Sequence, residues 1–279
     1  MSHAELERLW ALLQRVNVPS ADNGRDFYVR DRINTLLELL APTPWELIHN
    51  GRLAFVFARP GYRDASALEL VSCHIDSLYP KHFQQQLGAD YWQGTFDNSI
   101  CNMLLLDLMC QGKLPSHVVV TFTGDEEQDS RGAQETIEFF QRDVFLWQHL
   151  QRVITLDVTP SGFGKPFTVE NWFVESEPLP GHTPAFDSQK AFRRWIKQQL
   201  PWSHLVFVHE RDAAPDESWQ YEEYDLNCFS LCLPVAPPPE YADDEDWMEI
   251  VTRARTDSFA GFQAALIRLV EARMPQAWQ

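Results

Sequence analysis

Apolar residues recur at helical spacing from the start of the chain (Leu6, Leu9, Trp10, Leu12, Leu13 and Val16), so the first segment is expected to be an amphipathic helix. A second helix is expected after "SADNGRD", carrying Phe27, Ile33, Leu36, Leu37 and Leu40, with "APTP" stopping it. "RLAFVFARPG" and "ALELVSC" read as two strands separated by a Pro-Gly turn. From there strands and helices alternate. "NSICNMLLLDLMCQG" reads as a buried helix, "HVVVTFT" as a fully buried strand, "RGAQETIEFFQR" as a helix and "RVITLDV" as a strand. "FDSQKAFRRWIKQQL" follows as an amphipathic helix, then "HLVFVHE" and "NCFSLCLPV" as strands, and "RTDSFAGFQAALIRLVEA" as the closing helix. Continuous apolar strands alternating with helices imply an α/β fold, with a central, mostly parallel mixed β-sheet flanked by helices on both faces. No internal repeat or flexible linker interrupts the pattern, so residues 1–279 read as a single domain. The Pro-rich acidic stretch "APPPEYADDED" (236–246) is the one compositionally odd segment.

Composition narrows the partners. A formal charge of −17 argues against nucleic acid, because phosphate binding needs clustered Lys and Arg, and it disfavours an anionic membrane surface for the same reason. The N-terminus has neither the basic flank nor the long apolar core of a secretory signal, and no apolar run reaches the length of a membrane span. Five cysteines, an odd count without CxxC spacing, read as reduced residues of a cytoplasmic protein.

In open α/β sheets ligands bind beyond the carboxyl ends of the strands. "LELVSC" runs into His74 and Asp76, "VVVTFT" into Asp125, Glu126 and Glu127, and "RVITL" into Asp157, while "GTFDNS" sets Asp97 at the start of the apolar helix. Each feature alone has an ordinary reading: a surface pair, a solvated acidic loop, a turn residue, a helix cap. Together they deliver carboxylates and an imidazole to one rim, a donor set suited to zinc, with manganese or cobalt as further occupants. Asp76, two residues beyond His74 on an extended segment, is placed to orient its ring. A cation would also let Glu126 and Glu127 stand side by side, one as ligand and the other as proton carrier.

In this order "SCHIDS", "GTFDNS", "GDEEQDSRGA" and "TLDVT" resemble the His-x-Asp, Gly-x-x-Asp-Asn, Glu-Glu-x-Gly-x-x-Gly-Ala/Ser and terminal-Asp motifs of the co-catalytic dinuclear zinc aminopeptidases and carboxypeptidases. Asp129 stands where that superfamily often has Gly. The resemblance implies that His74 and Asp157 hold one metal, Glu127 the other, and Asp97 bridges them. It makes Glu126 the general base and Asp76 the support for His74, acting on a peptide or small amide. Only 23 residues separate His74 from Asp97, too few for an inserted lid or dimerisation domain, which favours the single-domain aminopeptidase branch. The superfamily's last ligand, a histidine in the loop before the C-terminal helix, is missing from "PPPEYADDEDWMEIV". By alignment Asp243 occupies that slot, with Asp244 and Glu240 as neighbours, and a carboxylate there would shift preference toward manganese or weaken the second site. Asp216, within "AAPDESWQY", is a candidate for contact with substrate. His204 and His209 read as structural, and Cys73 as core. The alternatives are a one-metal relative (a glutaminyl cyclase-like transferase or an N-acyl amino acid deacylase) and a degenerate, non-catalytic binding protein.

Overall fold

A computed structural model describes residues 1–18, 30–78, 81–170, 189–200, 207–208, 216–224 and 226–272. The apolar runs pair with one another at the middle of a mixed sheet. Strands β1 (Glu46–Asn50), β2 (Ala54–Ala58) and β3 (Leu68–His74) come first, then β4 (Gln84–Leu87), β5 (Tyr91–Gly94), β6 (Val118–Thr123) and β7 (Leu150–Thr159). β8 (Thr168–Glu170), β9 (Phe207–Val208), β10 (Cys228–Ala236) and β11 (Thr252–Arg255) complete the set. The order across the sheet is β1-β2-β6-β3-β7-β10-β11-β5-β4, with β8 pairing β10 and β9. β6, β3, β7 and β10 run parallel, and their registers place His74 opposite Thr123 and Cys232 opposite Asp157. Every residue of β3 and β6 is buried, as continuous apolar strands covered on both faces must be.

Helices cover both faces. On one, α1 (His3–Val16), α2 (Arg30–Leu40), α3 (Ser99–Cys110), α6 (Gln189–Gln199) and α9 (Ser258–Glu271) contribute to the larger apolar core, with Leu104, Leu105, Phe229 and Phe262 among its members. On the other, α4 (Arg131–Arg142), α5 (Val144–His149) and α7 (Ser218–Glu222) close a smaller core around Val119, Ile137, Phe140 and Tyr221. α3 is buried from Ser99 to Met109, which explains its nearly uninterrupted apolar sequence. Its one acid, Asp107, is bound by Arg8 at 2.8 Å and by Gln111 and Gln263 at 2.6 and 3.0 Å.

The predicted elements that fall on described residues are present. The sequence pattern did not give β1, β4, β5, β8 and β11, nor the short helices α5, α7 and α8 (Trp247–Ile250). "QQQL" has no β-branched or aromatic alternation, and β5 and β11 become strands only by pairing across about 160 residues of chain. β4, β5 and β11 extend the sheet beyond β10 and carry the loop 237–251 toward the carboxyl ends of the parallel strands. Phe27, His204 and His209 lie outside the described residues. No helix among the described residues is long and apolar enough to cross a membrane.

Candidate metal centre

His74 is the last residue of β3, and the extended chain beyond it carries Asp76 to the same place. Both are buried, and Asp76 Oδ1 lies 3.4 Å from His74 Nδ1. Asp76 Oδ2 accepts the Glu127 N–H at 3.3 Å, so the carboxylate that lies beside the imidazole also ties down the acidic loop. The other ring nitrogen faces the cleft. His74 Nε2 lies 3.2 Å from Asp97 Oδ1, 3.4 Å from Asp157 Oδ1 and 4.0 Å from Glu126 Oε2. Asp97 is held by the start of α3: Asn98 Nδ2 donates to the Leu156 carbonyl at 2.6 Å, and Asn102 Nδ2 to the His74 carbonyl at 2.8 Å. Asp157 is anchored by the N–H of Val158 at 2.7 Å.

The three consecutive acids after β6 divide their work. Asp125 adopts a left-handed conformation (φ 66°), a region in which Asp and Asn are enriched. Its carbonyl accepts the N–H of Ser130 at 2.7 Å, and its buried carboxylate is gripped by Arg131 Nε and Nη2 at 2.5 and 2.6 Å. That reversal turns Glu126 and Glu127 into the cleft. Gly132 permits it, since a Cβ there would lie 2.6 Å from the Gly124 oxygen and 2.7 Å from the Leu53 oxygen. Here glycine is required by close backbone approach rather than by φ.

Three overlapping groups could hold a cation, each with donor atoms within 4.8 Å of one another: His74 with Asp97 and Asp157, His74 with Glu126 and Glu127, and Asp97 with Glu127 and Glu249. Of the seven residues singled out, the structure brings together His74, Asp76, Asp97, Glu126, Glu127 and Asp157. Asp243 does not join them. It is exposed, as are Asp244 and Glu240, and it belongs to none of the groups. The acid that the 237–251 loop delivers is Glu249, on α8 and six residues further along. An available signal was its setting: Glu249 stands alone in "WMEIV" among apolar residues, whereas Asp243 sits in an acidic run that water solvates.

Burial and mutual repulsion dominate the electrostatics. Two like charges about 4 Å apart repel by roughly 4 kcal/mol at an effective dielectric near 20, so this many carboxylates cannot all stay ionised without a counter-cation. Desolvation, then the charges of Asp157, Asp76 and Asp97, push Glu126 well above the usual carboxylate range. Desolvation, Asp97 and Glu249 do the same to Glu127. Asp157 is raised to about 7 and Glu249 to about 8, first by burial and then by Asp97. Burial disfavours the His74 imidazolium, but Glu126 and Asp157 overcome that and raise it well above its ordinary value. Both ring nitrogens of His74, with Asp97 Oδ1, Glu127 Oε1 and Glu249 Oε2, are buried without a hydrogen-bond partner. Orphaned donors converging from an imidazole and several carboxylates fit a divalent cation.

Around this cluster the remaining candidates settle into supporting positions. Asp216 accepts the Ser218 N–H at 2.8 Å and the Thr155 hydroxyl at 3.4 Å, a turn-stabilising arrangement beneath the site. Its neighbour Glu217 is buried and accepts the Thr123 hydroxyl at 2.6 Å, with burial raising it to about 7. Cys73 is fully buried in the core. The residue with no sequence signal is Arg32 of α2, which is buried and donates to the carbonyls of Ile75 at 2.7 Å and Asp76 at 3.2 Å. It fixes the extended segment beyond His74 and places a cation behind the carboxylates.

No protein-family model matches the sequence, and no curated protein matches it by sequence. Solved structures do match in three dimensions. The TET aminopeptidase from the marine sediment archaeon Thaumarchaeota archaeon SCGC AB-539-E09 superposes with a TM-score of 0.70 at 12% identity, covering 99% of each chain. Aminopeptidase APDkam598 from Desulfurococcus kamchatkensis gives 0.63 at 10% identity, covering 99% of this chain and 98% of its own. A Thermotoga maritima protein described as an endoglucanase gives 0.59 at 10% identity, covering 93% and 96%. The chain thus shares the α/β architecture of these solved structures.

Proposed function

We propose that this chain is a metal-dependent hydrolase of peptide or small amide bonds, working as an aminopeptidase on a dinuclear centre with Glu126 as general base. The observation that carries the reading is the pair of donor groups that share Asp97, with the unshared acid Glu126 beside His74. His74, Asp97 and Asp157 would hold one ion, and Glu127 with Asp97 would begin the second. Zinc suits a centre built on imidazole and carboxylate, and manganese or cobalt would serve the same donors. When bound, such ions acidify water and polarise an amide carbonyl. The chain's own residues do the rest. Asp76 orients the His74 ring, Asp125 and Arg131 fix the turn that aims Glu126, and Glu126 takes a proton from the attacking water and returns it to the leaving amine.

Neighbours named as aminopeptidases support peptide chemistry. The endoglucanase description prompts a second reading, but glycosidases separate their two carboxylates by about 5–10 Å across a sugar bond. Here the donor atoms of each group lie within 4.8 Å of one another, and two of the three groups are built on the His74 imidazole. Five free cysteines, four of them buried, support a cytoplasmic setting. The testing variant is Glu126→Gln. It should lose roughly 10²-fold or more in hydrolysis, the size expected of a general base, while binding metal as the wild type does. Unchanged hydrolysis removes Glu126 from the mechanism.

A further inference from the structure

The two halves of the cluster differ in chemistry. The group His74, Asp97 and Asp157 contains a nitrogen donor, whereas Asp97, Glu127 and Glu249 offer oxygen only. We infer that Glu249 is the last ligand of the centre and that its all-carboxylate site selects a hard divalent cation, manganese in preference to a second zinc, so that the chain carries a mixed zinc–manganese pair. This rests on reading the cleft as a two-metal centre.

Three observations support it. Asp97, only 6% exposed, has its Oδ1 buried and without a hydrogen-bond partner. Glu127 Oε1 and Glu249 Oε2 are buried and unpartnered as well, so each residue of the group brings one unsatisfied oxygen to the same place. Among the described residues the imidazole beside the group, His74, is shared among Asp97, Asp157 and Glu126, so it does not offset all three carboxylates. Arg32, the buried cation whose charge Glu127 and Asp97 sense, spends its hydrogen bonds on the carbonyls of Val18, Ile75 and Asp76 and on His82. A divalent ion bound by these oxygens would offset three carboxylates whose donor atoms lie within 4.8 Å.

Selectivity follows from donor type. Zinc gains from imidazole or thiolate, and manganese and magnesium are suited to carboxylate oxygen. Replacing an imidazole by a carboxylate therefore removes the donor that favours zinc and adds a negative charge. The general order of affinities still places zinc above manganese at any one site. The prediction is accordingly a narrowed gap at the second site, wide enough for manganese in excess to win it, while His74 retains zinc at the first.

The test counts metals rather than turnover. Metal-free protein is equilibrated with two equivalents of zinc and excess manganese, desalted, and analysed by elemental analysis and by the electron paramagnetic resonance of bound Mn(II). One zinc and one manganese per chain is the expected result. Glu249→Gln, which keeps the side chain's shape, should weaken manganese at the second site at least roughly 10-fold, no less than an outer-shell change costs a metal site, and leave the zinc in place. Glu249→His should move the second site to zinc, and Asp243→Ala should change nothing. Two zinc ions with no manganese in the wild type, or a Glu249→Gln protein with undiminished manganese, overturns the assignment. A chain that partitions its metals this way yet cleaves no amide overturns the proposed function and leaves this inference standing.

Discussion

Arg131→Ala should loosen the turn that aims the proposed base. Asp125 is 0% exposed, and both of its carboxylate oxygens accept from Arg131, so the substitution leaves a buried charge without its partner. Breaking a fully buried pair from one side costs about 3–5 kcal/mol. Because the Arg131 side chain is 44% exposed, solvent already screens part of the interaction, and a loss of about 3 kcal/mol is the reasonable figure. For a chain of this size that lowers the melting temperature by roughly 6–12 °C. Asp125→Asn keeps the shape and the left-handed backbone but discards the charge, so it should cost less than Arg131→Ala. Thermal melts of the metal-free proteins measure the stability difference, and zinc titration shows whether Glu126 and Glu127 still face the cleft. An Arg131→Ala protein that melts within about 1 °C of the wild type would refute the argument that this pair holds the turn.

Gly132→Ala forces a Cβ to within 2.7 Å of two backbone oxygens, so overpacking should cost about 1–3 kcal/mol in urea unfolding and weaken metal binding through the adjoining loop. Asp97→Ala should remove metal and activity together, because this carboxylate belongs to both halves of the centre; a full metal content in the variant would return Asp97 to the role of a helix cap. The chelated protein should lose stability as pH rises from 5 to 8. Asp157 and Glu249 have folded values of about 7 and 8, raised above their unfolded ones, so the folded state binds more protons in that window and its advantage is lost as they ionise. His74, also raised, acts in the same sense. Bound metal reverses the trend by competing with those protons. The gap in melting temperature between loaded and chelated protein should therefore widen toward pH 8, and a gap independent of pH would contradict the electrostatic picture.

Much of the centre was legible because strand ends are local events. An apolar run of fixed length ends where its last residue meets the rim, so His74, Glu126, Glu127 and Asp157 could be placed from β3, β6 and β7 alone. Asp97 followed from the onset of an unmistakable buried helix. Glu249 was hidden for the opposite reason. Its position depends on β11 pairing with β5 and β10, a non-local arrangement that the short sequence "TRAR" does not announce. Arg32 was invisible on similar grounds, since nothing in the pattern of α2 shows that an arginine reaches the carbonyls beyond β3. Asp125, named from sequence only as part of the acidic run and given no role there, becomes structural through its partner Arg131.

The most direct measurement is hydrolysis of a panel of aminoacyl amides and their N-acetylated counterparts by one preparation of the chain, before chelation, after it, and after metal is restored. The account predicts cleavage of the free-amine substrates alone, lost on chelation and recovered with zinc or with zinc and manganese together. A fully metal-loaded chain that cleaves none of them, or a chelated chain that cleaves them as fast as the loaded one, would contradict it.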